Sequence, residues 1–104
     1  MTHLIDTLEA PYYAVIFTSI RTDVDAGYRE TDERMVELVA QQPGFLGFES
    51  ARQEIGITVS YWSSLEAINA WKNNIEHGQA RARASEWYRS YRVRVCRVER
   101  EYGF

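Results

Sequence analysis

The side chains best suited to chemistry gather between Tyr61 and Trp87. The stretch Tyr61-Trp62-Ser63-Ser64-Leu65-Glu66-Ala67-Ile68-Asn69-Ala70-Trp71-Lys72-Asn73-Asn74-Ile75-Glu76-His77 holds two of the three tryptophans and one of the two histidines. Imidazole titrates near neutral pH, so His77 is a candidate general base. Arg81, Arg83 and Trp87 follow closely, and Arg81 and Arg83 are alternate residues, of which at most one can face inward on a helix. Other chemistries find no footing. Two histidines and the single Cys96 are too few for a zinc cluster or an intrachain disulfide. No Ser/His/Asp grouping can be placed, and no glycine-rich loop could cradle a phosphate. His3, in the lead-in, is assigned no role.

The elements that must position these side chains follow from periodicity. Residues 1–11 form a loose lead-in, and residues 12–20, β-branched and aromatic on both alternating faces, predict a first strand buried on both sides. Thr22 or Asp23 is a candidate N-cap for a helix over about 24–41, whose stripe is Val24, Tyr28, Thr31, Met35, Leu38 and Val39. Pro43-Gly44 turns the chain into two strands, 45–52 and 57–62, joined by a short glycine-containing connection that predicts an antiparallel hairpin. Ser63, with Glu66 completing a capping box, then starts a second helix from about 64 that buries Leu65, Ile68, Trp71 and Ile75. Asn73-Asn74 and Gly78 are weak helix formers and predict a break between Trp71 and Gln79. Ala80, Ala84, Trp87, Tyr88 and Tyr91 resume the helical stripe. The last strand is expected over 91–101, with a bulge where Cys96 and Val98 shift the phase of Tyr91, Val93 and Val95.

The order strand, helix, strand, strand, helix, strand is that of the split βαβ, or ferredoxin-like, α+β arrangement, expected here as one domain over 1–104. Helices on one face of a four-stranded antiparallel sheet leave the other face bare. Because several strands are apolar on both sides, a second copy of the chain is the economical cover, and a homodimer through the open sheet face is expected. Tyr61 and Trp62 alternate along their strand, so one faces the helices and the other the partner; periodicity leaves open which.

Charge narrows the partners. The chain carries a net charge of −3, but residues 1–80 hold five Lys/Arg against twelve Asp/Glu, while residues 81–104 hold seven Arg against three Glu. An acidic body with a basic end suits self-association or an anion near the C-terminal segment. Overall acidity, with Arg92 and Arg94 on one strand face only, argues against nucleic acid. The apolar run 12–17 is too short to span a bilayer, so no membrane is expected. Asp6 and Glu9 interrupt the first ten residues where a signal peptide would be apolar, and with one cysteine a reducing, cytoplasmic setting is expected.

Four segments carry a resemblance. The turn and strand Pro43-Gly44-Phe45-Leu46-Gly47-Phe48-Glu49, the junction Tyr61-Trp62-Ser63-Ser64-Leu65-Glu66-Ala67, Trp71 with Glu76-His77, and Trp87-Tyr88 leading to Val95-Cys96-Arg97-Val98-Glu99-Arg100 resemble the antibiotic biosynthesis monooxygenase family over roughly residues 12–102. The resemblance implies a dimeric α/β barrel, two ferredoxin-like subunits packed sheet to sheet, with a pocket between helices and sheet in each. One branch of the family degrades haem with a histidine ligand on the second helical region, a tryptophan, and an asparagine in the first strand. Trp71 matches the tryptophan, but the ligand position falls on Arg81 and the asparagine position on Phe17. Another branch oxidises phenolic or quinol-type aromatics with O2, without metal or flavin. Such chemistry asks for a base and for polar groups that stabilise the substrate anion. By resemblance His77 is then the base, Arg81 the holder of the oxyanion, and Phe17, Trp62, Trp71 and Trp87 the walls around an aromatic ligand.

The leading expectation is therefore a cofactor-independent monooxygenase for a small aromatic or quinol-type substrate. A haem-binding or haem-degrading protein that uses His77 as its ligand is the alternative. A non-catalytic dimeric domain holding a hydrophobic small molecule is the third, since a fold does not fix a function.

Overall fold

The computed structural model of the protein describes residues 4–104, the Ile75 side chain excepted, so His3 lies outside the described residues. Eight elements follow in order: β1 (Tyr12–Arg21), α1 (Tyr28–Val39), β2 (Phe45–Arg52), β3 (Gly56–Trp62), α2 (Leu65–Lys72), α3 (Ile75–Ala82), α4 (Ala84–Trp87) and β4 (Tyr88–Val98). The strands form one antiparallel sheet in the order β2-β3-β1-β4. This is the ferredoxin-like arrangement expected, with β1 and β3 at its centre.

Register assigns the faces. Tyr13, Val15 and Phe17 pair with Trp62, Ser60 and Thr58 on one side and with Arg97, Val95 and Val93 on the other. Side chains alternate along strands, so these residues share the helix-facing side. Ala14, Ile16, Val59, Tyr61, Arg92 and Arg94 take the open side, where no helix lies. The ambiguity at the β3 terminus is thereby resolved: Trp62, 1% exposed, points under the helices against Phe45, and Tyr61 stands on the open face against Tyr12.

The lead-in is less loose than expected. It has no regular structure over residues 4–9, yet the Ile5 amide donates to Glu49 Oε2 at 3.2 Å and the Leu8 amide to Glu101 Oε1 at 3.0 Å. Tyr12 and Ala14 are buried at that end of the open face.

Several expected boundaries move, each for a local reason. The α1 cap is Gly27, at φ 77°, and not Thr22 or Asp23. Thr22 is engaged elsewhere: its hydroxyl donates to the Glu86 carbonyl at 2.6 Å and its amide to that of Trp87 at 2.8 Å, tying the loop before α1 to α4. Val24 is accordingly outside the helix and exposed. Ser64, not Ser63, caps α2, accepting from the Ala67 amide at 3.1 Å, so Glu66 falls one residue short of the capping-box position. Ser63 instead packs against Gly44, where at φ +84° an added Cβ would lie 2.7 Å from Ser63 Oγ and 2.6 Å from Ala67 Cβ. That turn admits glycine alone. β4 begins at Tyr88, which with Tyr91 belongs to the strand and not to a helical stripe. Its register runs unbroken past Cys96, and the irregularity sits at the other end, opposite Ile20 and Arg21. The expected break in the second helix is real and falls at Asn73 and Asn74, between α2 and α3.

Candidate active site

That break builds the site. Asn74 adopts an extended backbone and its side-chain oxygen accepts from the amides of Glu76 at 3.0 Å and His77 at 3.2 Å. Asparagine is among the strongest N-caps, so α3 restarts where His77 enters its first turn. The turn brings the His77 ring back onto Trp71, stacked at 4.4 Å between centroids and 15° between planes. His77 Nδ1 lies 2.9 Å from the Trp71 carbonyl oxygen. A carbonyl only accepts, so Nδ1 carries the proton and Nε2 keeps its lone pair. Burial lowers the imidazole's pKa, the hydrogen bond to the Trp71 carbonyl opposes that, and the Arg81 charge adds to the lowering. Neutral His77 with one defined basic nitrogen is the result.

Between the helices and the β1 and β4 strands lies a cavity of about 780 Å³, which is in the range of small-molecule sites. All six side chains singled out in the sequence, Phe17, Trp62, Trp71, His77, Arg81 and Trp87, lie on its lining. They do not contribute alike. Trp62 and Trp87, 1% and 3% exposed, form the packed floor, with their ring nitrogens donating to Ser60 Oγ at 3.0 Å and the Ala26 carbonyl at 2.9 Å. Phe17, Trp71 and His77 are half-buried and form walls. Arg81 is exposed and donates to the Lys72 carbonyl at 3.1 Å, at the end of α2, while Arg83 turns to Glu86 and the face of Trp87. The alternation of Arg81 and Arg83 thus places Arg81, and not Arg83, on the cavity.

One group escaped the sequence. The hydroxyls of Tyr28, at the start of α1, and Tyr88, at the start of β4, meet at 3.1 Å, and both side chains line the same cavity with Asp32. Phe17 packs edge-on to Tyr88 at 5.4 Å, and the Arg21 guanidinium sits 3.4 Å over the Tyr28 ring. Burial and the hydrogen bond to Tyr28 raise the Tyr88 pKa, keeping it a phenol. Partial desolvation also raises Asp32, with Glu33 adding and Arg52 and Arg21 opposing. Tyr28 was legible only as a member of the α1 stripe; a partner sixty residues away leaves no local signal.

The residues that the resemblance aligns with the haem branch lie on this lining. Arg81, which the resemblance sets at the haem branch's ligand position, donates to the Lys72 carbonyl, and Phe17, which it sets at the asparagine position, is a phenyl wall. Among the described residues no group of three His, Cys, Asp or Glu could hold a metal ion. Among the described residues His77 Nε2 is the one imidazole nitrogen on the cavity with a free lone pair.

Fold and site together define a small α+β domain of the ferredoxin-like class whose aromatic cavity lies between helices and sheet. Residues 11–83 match the family described as antibiotic biosynthesis monooxygenase, and the chain belongs to that family. It is 55% identical to the uncharacterised protein YqjZ of Bacillus subtilis (strain 168), over 97% of this chain and 91% of that protein. Its fold is similar to that of SnoaB, a cofactor-independent oxygenase from Streptomyces nogalater, at 11% identity and a TM-score of 0.75, covering 88% of this chain and 97% of that one. Rv0793 from Mycobacterium tuberculosis is also similar, at 15% identity and a TM-score of 0.71, covering 90% of this chain and 98% of that one.

Proposed function

We propose that this chain is a cofactor-independent monooxygenase that oxidises a small phenolic or quinol-type aromatic with O2, working as a homodimer paired through the open sheet face. The observation that carries the reading is His77. It is a neutral imidazole with its proton held at Nδ1 and its basic Nε2 free, on the wall of an aromatic cavity, in a member of a monooxygenase family. The name of SnoaB, a fold relative, supports a reaction without a cofactor.

In this reading His77 takes the phenolic proton and the Arg81 side chain swings from the Lys72 carbonyl to hold the phenolate, while Phe17 and Trp71 clamp the ring over the Trp62 and Trp87 floor. The electron-rich phenolate reduces O2, and the two combine at a ring carbon to give a hydroperoxide. The O–O bond then breaks: one oxygen stays on carbon as a carbonyl, and the other leaves as water with the two hydrogens the substrate has lost. The substrate supplies all the electrons, so a phenol and O2 give a quinone and water.

Incubation with ¹⁸O2 and a panel of phenols, 1-naphthol and hydroquinones among them, tests this by mass spectrometry. One ¹⁸O in the quinone formed, at a rate that His77→Ala lowers about 100-fold or more, is the expected result. O2 uptake no faster than without protein across the panel would sink it. Haem titration of the same preparation should give no sharp Soret band; a band that His77→Ala abolishes would move the chain to the haem reading.

A further inference from the structure

From the cavity's second polar cluster we infer that the Tyr28–Tyr88 hydroxyl pair is a ligand subsite that binds an oxygen of the aromatic ligand, a quinone carbonyl or phenolate, away from His77. The inference rests on the aromatic-ligand reading above and extends it to substrate shape.

Two hydroxyls in contact share only one of their two protons. With Tyr88 donating to Tyr28, no protein acceptor among the described residues takes the Tyr28 proton. Reversing the pair leaves the Tyr88 proton free instead. Either way one O–H remains for a third atom, and both hydroxyls stand on the cavity lining. A phenol that accepts a hydrogen bond from a second phenol is itself a stronger donor, which suits an oxygen carrying negative charge. The pair is half-buried on the lining of a cavity of ligand size, so the spare O–H is placed where a bound ligand would meet it.

Position separates this pair from the basic group. Glu76, beside His77, forms a two-pronged ion pair with Arg34, at 3.0 and 3.2 Å. Arg34 is six residues along α1 from Tyr28, roughly 9 Å of helix rise. Tyr88 pairs with Arg21 at the far end of β1, and Phe17 and Tyr91 fill the interval. A cavity with a base and a guanidinium on one side, phenol donors on the other and aromatic rings between them suits an aromatic ligand that carries oxygens on two sides of its ring system.

Calorimetric titration with anthraquinone-2-sulfonate and anthracene-2-sulfonate tests the subsite, because the two probes share rings and sulfonate and differ in the carbonyl oxygens. The wild type should bind the anthraquinone more tightly. Tyr28→Phe and Tyr88→Phe should each weaken the anthraquinone about tenfold and leave the anthracene within about twofold. Equal losses for both probes would make the pair a packing element, and unchanged anthraquinone binding would remove it from the site. Failure of the wild type to prefer the anthraquinone would also overturn the inference. Circular dichroism and melting of both variants establish that they fold. No turnover is needed, so failed ¹⁸O incorporation with intact discrimination would defeat the oxygenase reading alone.

Discussion

A histidine can take a proton from a bound phenol only if it is neutral at working pH and keeps the right nitrogen free. At His77 both conditions arise from its neighbours: burial disfavours the imidazolium, and the Trp71 carbonyl occupies Nδ1–H. The acid limb of the proposed reaction's kcat/KM profile should therefore fall below pH 6.5, the ordinary imidazole value, and His77→Ala should abolish that limb. The same lowering has a stability signature. The folded state holds neutral His77 against a higher unfolded pKa, so its contribution is complete above about pH 6.5 and declines as pH falls toward the folded value. Urea midpoints at pH 7.5 and 5 should differ more in the wild type than in His77→Ala. Equal pH slopes would mean that His77 is as free to protonate in the fold as out of it.

At the level of elements, Asn74 decides where His77 stands. The run that began at Ser64 ends at Asn73, and Asn74 caps the next helix with two hydrogen bonds. Asn74→Ala should cost about 1 kcal/mol in urea unfolding and weaken the stacking of His77 on Trp71, whereas Asn74→Asp should recover most of the loss, since both side chains cap. A near-zero effect of the alanine variant would show that tertiary packing alone holds α3 in place. This junction was legible in advance, because paired asparagines inside a helical stripe are a local signal. The order of elements was legible for the same reason: residues 12–20, 45–52 and 57–62 are strand-like runs set off by turn formers or by a helical stripe. The end of the second helical region was not. Trp87, Tyr88 and Tyr91 satisfy either period, and what sets the boundary is non-local, the Trp87 carbonyl accepting from the Thr22 amide at 2.8 Å and from Arg21 Nε at 3.0 Å. Caps went wrong where two candidates adjoin, as at Ser63 and Ser64. Of the cavity lining, the tryptophans, Phe17 and the α3 residues were foreseeable from type and resemblance. Tyr28 with Tyr88 was invisible because only the sheet and α1 together bring them to one place.

Across the whole molecule, surface area bears on the proposed dimer. A globular monomer of 12.1 kDa exposes about 6,000 Å² by the size scaling of folded proteins. This chain exposes 7823 Å², with Ile57 45% exposed on the open side of β3 and Tyr102 and Phe104 exposed in the tail beyond β4. The excess, about 1,800 Å², exceeds the roughly 800 Å² that each partner buries in an ordinary protein interface, even when the extended tail takes a share. Light scattering should give twice the 12.1 kDa chain mass at micromolar concentration. Val59→Glu, at the centre of the open face, should shift that mass to the monomer, because it places two like charges in an apolar interface. His77→Ala, beneath the helices, should leave it unchanged. A wild type that stays monomeric at those concentrations would overturn the dimer, and a Val59→Glu chain that stays dimeric would move the interface off the sheet.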